Sequence, residues 1–379
     1  MLFLRTASII LGVALVASTL LSAIKTFVVP RSVNPRLTGV VFELTARLFR
    51  AYLRLRRINT YLERDAILAV FAPISLLLLV FSWFALVIVG YSGIFWGLGV
   101  QTMADAIILS GSSLLTLGFA TPDGLGAYLI VFSEGAIGLG LMALLIAYLP
   151  TMYSAFSERE REVSMLEVRA GDPPWAITMI ERYHRLHDLE AMGVMWEQWE
   201  AWFSDIEESH TSLGALIFFR SPKAQRSWVT AAGAVLDGAA LYASTLNVPQ
   251  DARANLCIRA GYLALRSIAD YFNVPYNPAP GPADPITIGR SEFDEAYNRL
   301  AAQGIPMVAD QERAWLDFKG WRVNYDVPLV ALARLTFAPY APWSSDRSYI
   351  GASHTGRTSI GLSIIGTPDP RTSNVPEVD

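Results

Sequence analysis

Charge is what this 379-residue chain lacks over its most apolar stretch. Between Ala66 and Ser157 the charged residues are Asp105, Asp123 and Glu134, and none is basic. Such a stretch cannot be solvated as a soluble domain, and it has room for two spans of about 20 residues with extra to spare. Cysteine is nearly absent: Cys257 stands alone, which excludes a disulfide framework and a cysteine-ligated metal centre. There is no Walker loop, no G-x-S-x-G and no dinucleotide fingerprint. Overall charge is low as well, 17% of residues against 53% apolar, with a net charge of −4 that points to no partner and gives no sign of nucleic-acid binding. The composition describes an all-α membrane protein, not a soluble enzyme.

What is present falls into segments. Thr6 to Ile24 is uncharged and long enough for one span, placing an N-terminal transmembrane segment in residues 1–30. The run is long for a signal-peptide core and no A-x-A site follows, so an uncleaved span is expected. Residues 31–64 carry Arg31, Arg36, Arg47, Arg50, Arg54, Arg56, Arg57 and Arg64 against Glu43 and Glu63. Val41, Leu44, Leu48, Tyr52 and Leu55 recur there at helical spacing. That pattern predicts a basic amphipathic helix on a surface of anionic lipid head groups. The positive-inside tendency puts it on the cytoplasmic side of the inner (cell) membrane, with the N-terminus outside.

Residues 65–157 hold three apolar pieces. Ala66 to about Val89, with Pro73 inside it, is a second span, and Tyr91, Phe95 and Trp96 suit an aromatic belt at the outer interface. Thr102 to Leu115 is too short to cross about 30 Å of hydrocarbon and must enter and turn back. Leu125 to Phe156 is the third span. Between the last two lies Thr116-Leu117-Gly118-Phe119-Ala120. Irregular backbone at membrane depth is stable only where it is buried in protein or lines a wet cavity.

The order span, short re-entrant helix, "TLGFA", span resembles the pore module of potassium channels, whose filter reads T-V-G-Y-G. The downstream "SEGAIGLGLMALLIAYL" is similar to the inner helix of two-span bacterial ion channels, where a Glu commonly precedes a glycine-bearing helix. The resemblance covers about Ala66 to Ser157. It implies a channel passing cations passively and preferring potassium, hence not an enzyme, with no cofactor beyond the permeant K⁺. It also implies a homotetramer, since one loop cannot encircle an ion. Thr116, Leu117, Gly118, Phe119 and Ala120 would form the ion filter, with Phe119 packed behind it. Rings of backbone carbonyls replace the ion's hydration shell in such filters. Carbonyls aimed at one axis require alternating backbone handedness, which Gly118 allows at little cost. Ala120 stands where the pattern has its second glycine, so its carbonyl is expected to turn away. Glu134 is ionisable within a span and therefore functional by default. The resemblance sets it behind the filter, bracing the loop through Ser112, Ser113 or filter amides. Gly135, Gly138 and Gly140 serve as an inner-helix hinge or as close packing points. A poorly selective cation channel, or a membrane-tethered sensor or scaffold with a degenerate pore, are the rival readings.

After Glu158 the composition changes abruptly. Residues 158–273 predict a helical cytoplasmic domain, with a hairpin of Trp228–Leu246 and Ala254–Phe272, joined to the third span without Gly or Pro before Gly171. Asp237 marks the first of these helices as packed rather than spanning. Residues 274–290 are a proline-rich linker, 291–345 a shorter helical segment and 346–379 a loose tail. Such a domain resembles, in outline, helical extensions of some bacterial channels and could take a cytoplasmic regulator. His184, His187 and His210 lack a third fixed ligand, so no metal is expected, and a solvated helix face accounts for them. The tryptophans of "MWEQWEAWF" fit a core or interface helix.

Overall fold

A computed structural model describes residues 2–29, 36–58 and 60–347. The segment expected to be a loose tail lies outside the described residues from 348 onward. Among the described residues the protein is all-helical, its one β-feature being an isolated bridge between Leu246 and Met307. Three stretches are long and apolar enough to cross a membrane: Leu2–Phe27, Tyr61–Leu98 and Leu125–Ala170. The chain is therefore described as a membrane protein. The described residues divide into two units, Met1–Thr45 with Phe71–Ser154, and Ala46–Val70 with Ala155–Asp379.

In the first unit, helix α1 (Leu2–Phe27) packs along α4 (Phe71–Leu98). Helices α2 (Arg36–Leu55) and α3 (Tyr61–Ala69) lie between them in sequence. Close approach explains the glycines of α4: a Cβ on Gly90 would meet the Gly12 carbonyl at 3.0 Å and Val16 at 2.7 Å. The Ser8 hydroxyl donates to the Gly93 carbonyl (2.8 Å) and Trp83 Nε1 donates to Ser22 Oγ (3.4 Å), so these polar groups at the seam are satisfied. Phe27 and Trp83 meet edge-to-face with centroids 5.0 Å apart.

Two span features differ from expectation. The helix of the second span is interrupted at Val70, so that Ala66–Ala69 belong to α3 and α4 begins at Phe71, within an apolar stretch, Tyr61–Leu98, that includes the expected span. Pro73 consequently sits in the first turn of α4, where a missing N–H leaves no ladder bond unmade. Tyr91 and Phe95 are not belt residues: both are buried, and the Tyr91 hydroxyl lies 2.9 Å from Ser133 Oγ. The basic helix α2 forms over the expected residues, but Val41, Phe42 and Ala46 are its buried apolar positions while Leu44, Leu48, Tyr52 and Leu55 remain exposed along one side. That exposed apolar row beside arginines is the surface an interfacial helix would present to lipid.

Helix α5 (Met103–Leu114) and helix α6 (Leu125–Ala170) complete the first unit, and the end of α6 enters the second. Its 46 residues span about 69 Å at 1.5 Å per residue. The helix stops at Gly171, whose φ of 89° is the left-handed conformation that favours glycine after a helix end.

The second unit is built around α9 (Trp228–Thr245), buried almost all round. Helix α7 (Ala176–Arg185), α8 (Met192–Ser212), α10 (Ala252–Tyr271), α11 (Arg290–Ala302), α12 (Gln311–Arg322) and α13 (Asp326–Leu335) complete it. The α9–α10 hairpin forms as expected, and Trp196, Trp199, Trp202 and Phe203 of α8 are core residues. Segments 158–273 and 291–345 are not separate bodies. Helices α12 and α13 pack on α9, and the proline-rich stretch between is held down rather than acting as a spacer. Asp284 accepts from Asn277 (2.9 Å) and from the Gly281 amide (3.1 Å), and Arg266 donates to the Pro278 carbonyl (3.1 Å). Asp237 of α9 is answered by Arg322 Nη1 (2.5 Å) and by the Tyr325 hydroxyl (2.9 Å). Arg322 also donates to Asp326 (2.7 Å) and to the Trp343 carbonyl (2.6 Å). Burial alone would lower the pKa of Arg322, but Asp237 and Asp326 outweigh it and the net shift is upward.

Candidate functional site: the loop after the short helix

Helix α5 has 12 residues, about 18 Å, too little to cross a bilayer. Its start is fixed locally: Thr102 Oγ1 accepts from the Asp105 amide (3.1 Å) and donates to the Asp105 carboxylate (2.6 Å). The acid thus sits at the positive end of the helix dipole, leaving the negative end at Leu114.

The five residues from Thr116 to Ala120 follow without regular structure. Thr116 has φ 56° and Gly118 φ 72°, while Leu117 between them is not left-handed. Glycine tolerates this conformation freely. A β-branched threonine does not, and the cost is about 1–2 kcal/mol. Strain of this kind persists only where surroundings impose it. Those surroundings are identifiable. The Ser112 carbonyl accepts from the amides of Leu117 (2.8 Å) and Gly118 (3.3 Å), and the Ser113 carbonyl accepts from Thr116 (3.0 Å). The Ser112 hydroxyl accepts from the Ala120 amide (3.1 Å). Four loop amides are therefore consumed by the last turn of α5. Alternating handedness at Thr116, Leu117 and Gly118 turns successive carbonyls of the loop. Ala120 is not left-handed.

Glu134 is buried on α6, as the position behind the loop requires. Its hydrogen-bond donors match expectation only in part. Oε1 accepts from Ser110, which was not expected, while Ser113, which was, also lies against the carboxyl and its Oγ donates to the Val131 carbonyl (3.0 Å); neither Ser112 nor a filter amide reaches it. The reason is helical register: Ser110 and Ser113 share the face of α5 turned to α6, whereas Ser112 lies beneath the loop. Ser110 also contacts the Ile88 carbonyl (3.2 Å), so one hydroxyl joins three helices. Three-residue spacing from Ser113 was the signal that could have singled it out. The second oxygen of Glu134 is buried without a hydrogen-bond partner.

Phe119 does not pack behind the loop of its own chain. It is 67% exposed and Leu117 60%, because the hydrogen bonds that hold the segment attach its amides and leave its side chains outward. The three glycines of α6 separate. A Cβ on Gly138 would overlap the Leu114 carbonyl, Gly135 approaches the Ser113 carbonyl at 3.6 Å, and Gly140 has open space. Helix α6 runs unbroken through all three, and also through Pro150, a residue that removes one ladder hydrogen bond further on.

In the second unit His184 and His187 lie on or near the surface, but His210 is fully buried rather than on a solvated face. It packs on Trp228 with centroids 4.7 Å apart, and its Nε2 lies 3.3 Å from Arg159 Nη1. Burial, and then the charge of Arg159, push its pKa well below the ordinary imidazole value. Among the described residues no group of three His, Cys, Asp or Glu side chains is placed to hold a metal ion.

Neither a protein-family model, nor a curated protein, nor a solved structure matches this chain.

Proposed function

We propose that the chain forms a cation channel that prefers potassium and conducts passively through a pore lined by Thr116 to Ala120. The single observation carrying this reading is the left-handed pair Thr116 and Gly118, held by the end of a short helix between two spans. A threonine strained at such a place is a backbone arranged to present carbonyls. The negative end of α5 favours a cation beside them. Four copies would be needed to enclose an ion, and the exposure of Leu117 and Phe119 is consistent with cover supplied by neighbouring copies. On this reading Phe119 packs against a second copy, Gly140 is the hinge position of the inner helix, and Gly138 is a packing point. The second unit lies in the cytoplasm and α2 lies on the inner leaflet.

Ala120 favours a second reading, a poorly selective cation channel, since the outermost position lacks left-handed backbone. Purified protein in liposomes, with potassium flux compared against sodium flux, decides between them. Faster potassium flux supports the first reading and equal fluxes the second. No flux of either cation leaves a membrane-tethered sensor or scaffold. Cross-linking in detergent should give four copies, and a clean monomer or dimer overturns the pore.

A further inference from the structure

Two buried or half-buried arginines meet one short segment of the second unit, the 3₁₀ turn Gly214–Phe218 and the two residues after it. Arg159, near the end of α6, is 2% exposed. It donates to the Leu216 carbonyl (3.0 Å) and the Phe219 carbonyl (2.8 Å), besides Glu160 (2.8 Å). At the far end of the same segment, Arg220 turns to α3. It binds the Asp65 carboxylate and the Tyr61 hydroxyl (2.6 Å), and it donates to the carbonyls of Thr336 (2.9 Å) and Phe337 (3.0 Å). Tyr61 stacks on Phe337 with centroids 5.8 Å apart.

The two helices held in this way are special in the chain. α3 is followed by the span α4 after Val70 alone, and α6 is itself the continuation of the third span. They are the chain's last residues before, and first residues after, the pore loop and its two flanking spans. Simple stability does not explain the arrangement. A buried ion pair is often matched or bettered by apolar residues of equal volume, and Glu160 keeps one buried oxygen without a partner. Charged hydrogen bonds to named carbonyls instead fix position and direction.

We infer that Gly214–Arg220 is a coupler that locks α3 to the final turns of α6, so that the two move together. Arg159 and Arg220 are its positioning residues. The consequence for gating rests on the channel reading: a rearrangement of the second unit that moves this segment reaches both spans together. The coupling itself does not depend on conduction.

The test uses the full chain. In Arg159→Met, amide hydrogen exchange of Tyr61–Ala69 should quicken by about tenfold, although Arg159 does not touch α3. In Arg220→Met, exchange over Glu158–Ala170 should quicken similarly. Asp65→Asn is the milder variant should either arginine variant fail to fold, and it should quicken exchange over Glu158–Ala170 in the same way. Arg313→Met, on an exposed pair, should leave both regions unchanged. Exchange that rises only beside the mutated residue overturns the coupler. In potassium-conducting liposomes each single variant should change open probability without changing ion preference, and the double variant should add nothing to the larger single effect. Independent, additive effects also overturn it. A wild-type chain that carries no flux defeats the channel reading, while the exchange result still decides the coupling.

Discussion

Two buried acids, Asp237 in the second unit and Glu134 beside the loop that follows α5, are treated in opposite ways. Asp237 is met by a guanidinium and a phenol, and the same guanidinium is shared with Asp326 and a backbone carbonyl. Glu134 has only serine hydroxyls, Ser110 and Ser113, and no cationic partner, and one of its oxygens makes no close hydrogen bond. A fold that only needed stability would match both, since unpaired buried charge is costly. Asp237 is therefore read as architecture, fixing α9 against α12 and α13. Glu134 is read as a group kept at the site despite its cost. Variants of each should separate along that line.

The largest effect is expected at Arg322. Arg322→Met leaves Asp237 and Asp326 buried and unanswered, at a cost of about 3–5 kcal/mol. Thermal unfolding of the full chain in detergent should move down sharply, and adding Asp237→Asn and Asp326→Asn should recover part of the loss. A small shift would mean that this polar cluster does not hold α9.

Glu134→Gln comes next. One partner of a buried hydrogen bond is altered, with about 1–3 kcal/mol at stake. On the proposed channel reading the variant should still assemble and lose less stability than Arg322→Met, yet conduct poorly or flicker shut in single-channel records. The contrast with Arg322→Met is the point: one variant damages stability, the other conduction. Unchanged single-channel behaviour together with a lowered melting temperature would place Glu134 with Asp237 as architecture.

These two acids also show how much was legible. The order of elements around the loop could be read because each signal is local. Thr102 and Asp105 cap α5, Gly171 ends α6, and the uncharged run marks the spans. Glu134 stood out because any carboxylate within a span does. What escaped depends on pairs remote in sequence. Arg322 lies 85 residues from Asp237, and Arg159 lies 51 from His210. No periodicity announces such partners. Tyr91 and Phe95 were misread for a related reason: a belt and a buried seam use the same aromatic residues, and only the neighbouring Ser133 tells them apart. Segments 158–273 and 291–345 were divided because a proline-rich stretch resembles a spacer until Asp284 and Arg266 are seen to hold it.

His210 extends the comparison to pH. Its elements bring to it Arg159 and Glu160 from α6 and Trp228 from α9, with Ser209 beside it on α8. Because its folded pKa is depressed, the folded state stays unprotonated where the unfolded state already binds a proton. Stability should therefore fall as pH drops below about 6.5, by at most about 1.4 kcal/mol per pH unit from this group. Above that pH the group contributes no slope. The measurement is the difference between wild type and His210→Phe in melting temperature from pH 8 to 5. A difference that does not change with pH would mean that His210 titrates alike in both states.

The smallest expected effect is at Ala120, where the loop departs from the glycine of the pattern it resembles. Its backbone is not left-handed and its amide is tied to Ser112 Oγ. Had it adopted the left-handed conformation, each copy would bear about 1–2 kcal/mol, as Thr116 does. In a proposed assembly of four copies the sum would be a large share of a typical stability of about 5–15 kcal/mol. The chain accepts that strain once per copy, at Thr116, and avoids it at the outer end. On the proposed channel reading, a backbone that is not left-handed at Ala120 would widen or remove the outer ion position and leave the inner ones, so potassium should still be preferred, but less sharply. Ala120→Gly frees the backbone to turn inward without altering Ser112, whose hydroxyl can still accept from the Gly amide. Stability should change by less than about 1 kcal/mol, since the glycine also adds unfolded-state entropy. Reversal potentials under potassium–sodium gradients should shift toward potassium. No shift, or a shift toward sodium, would mean that Ala120 does not limit selectivity.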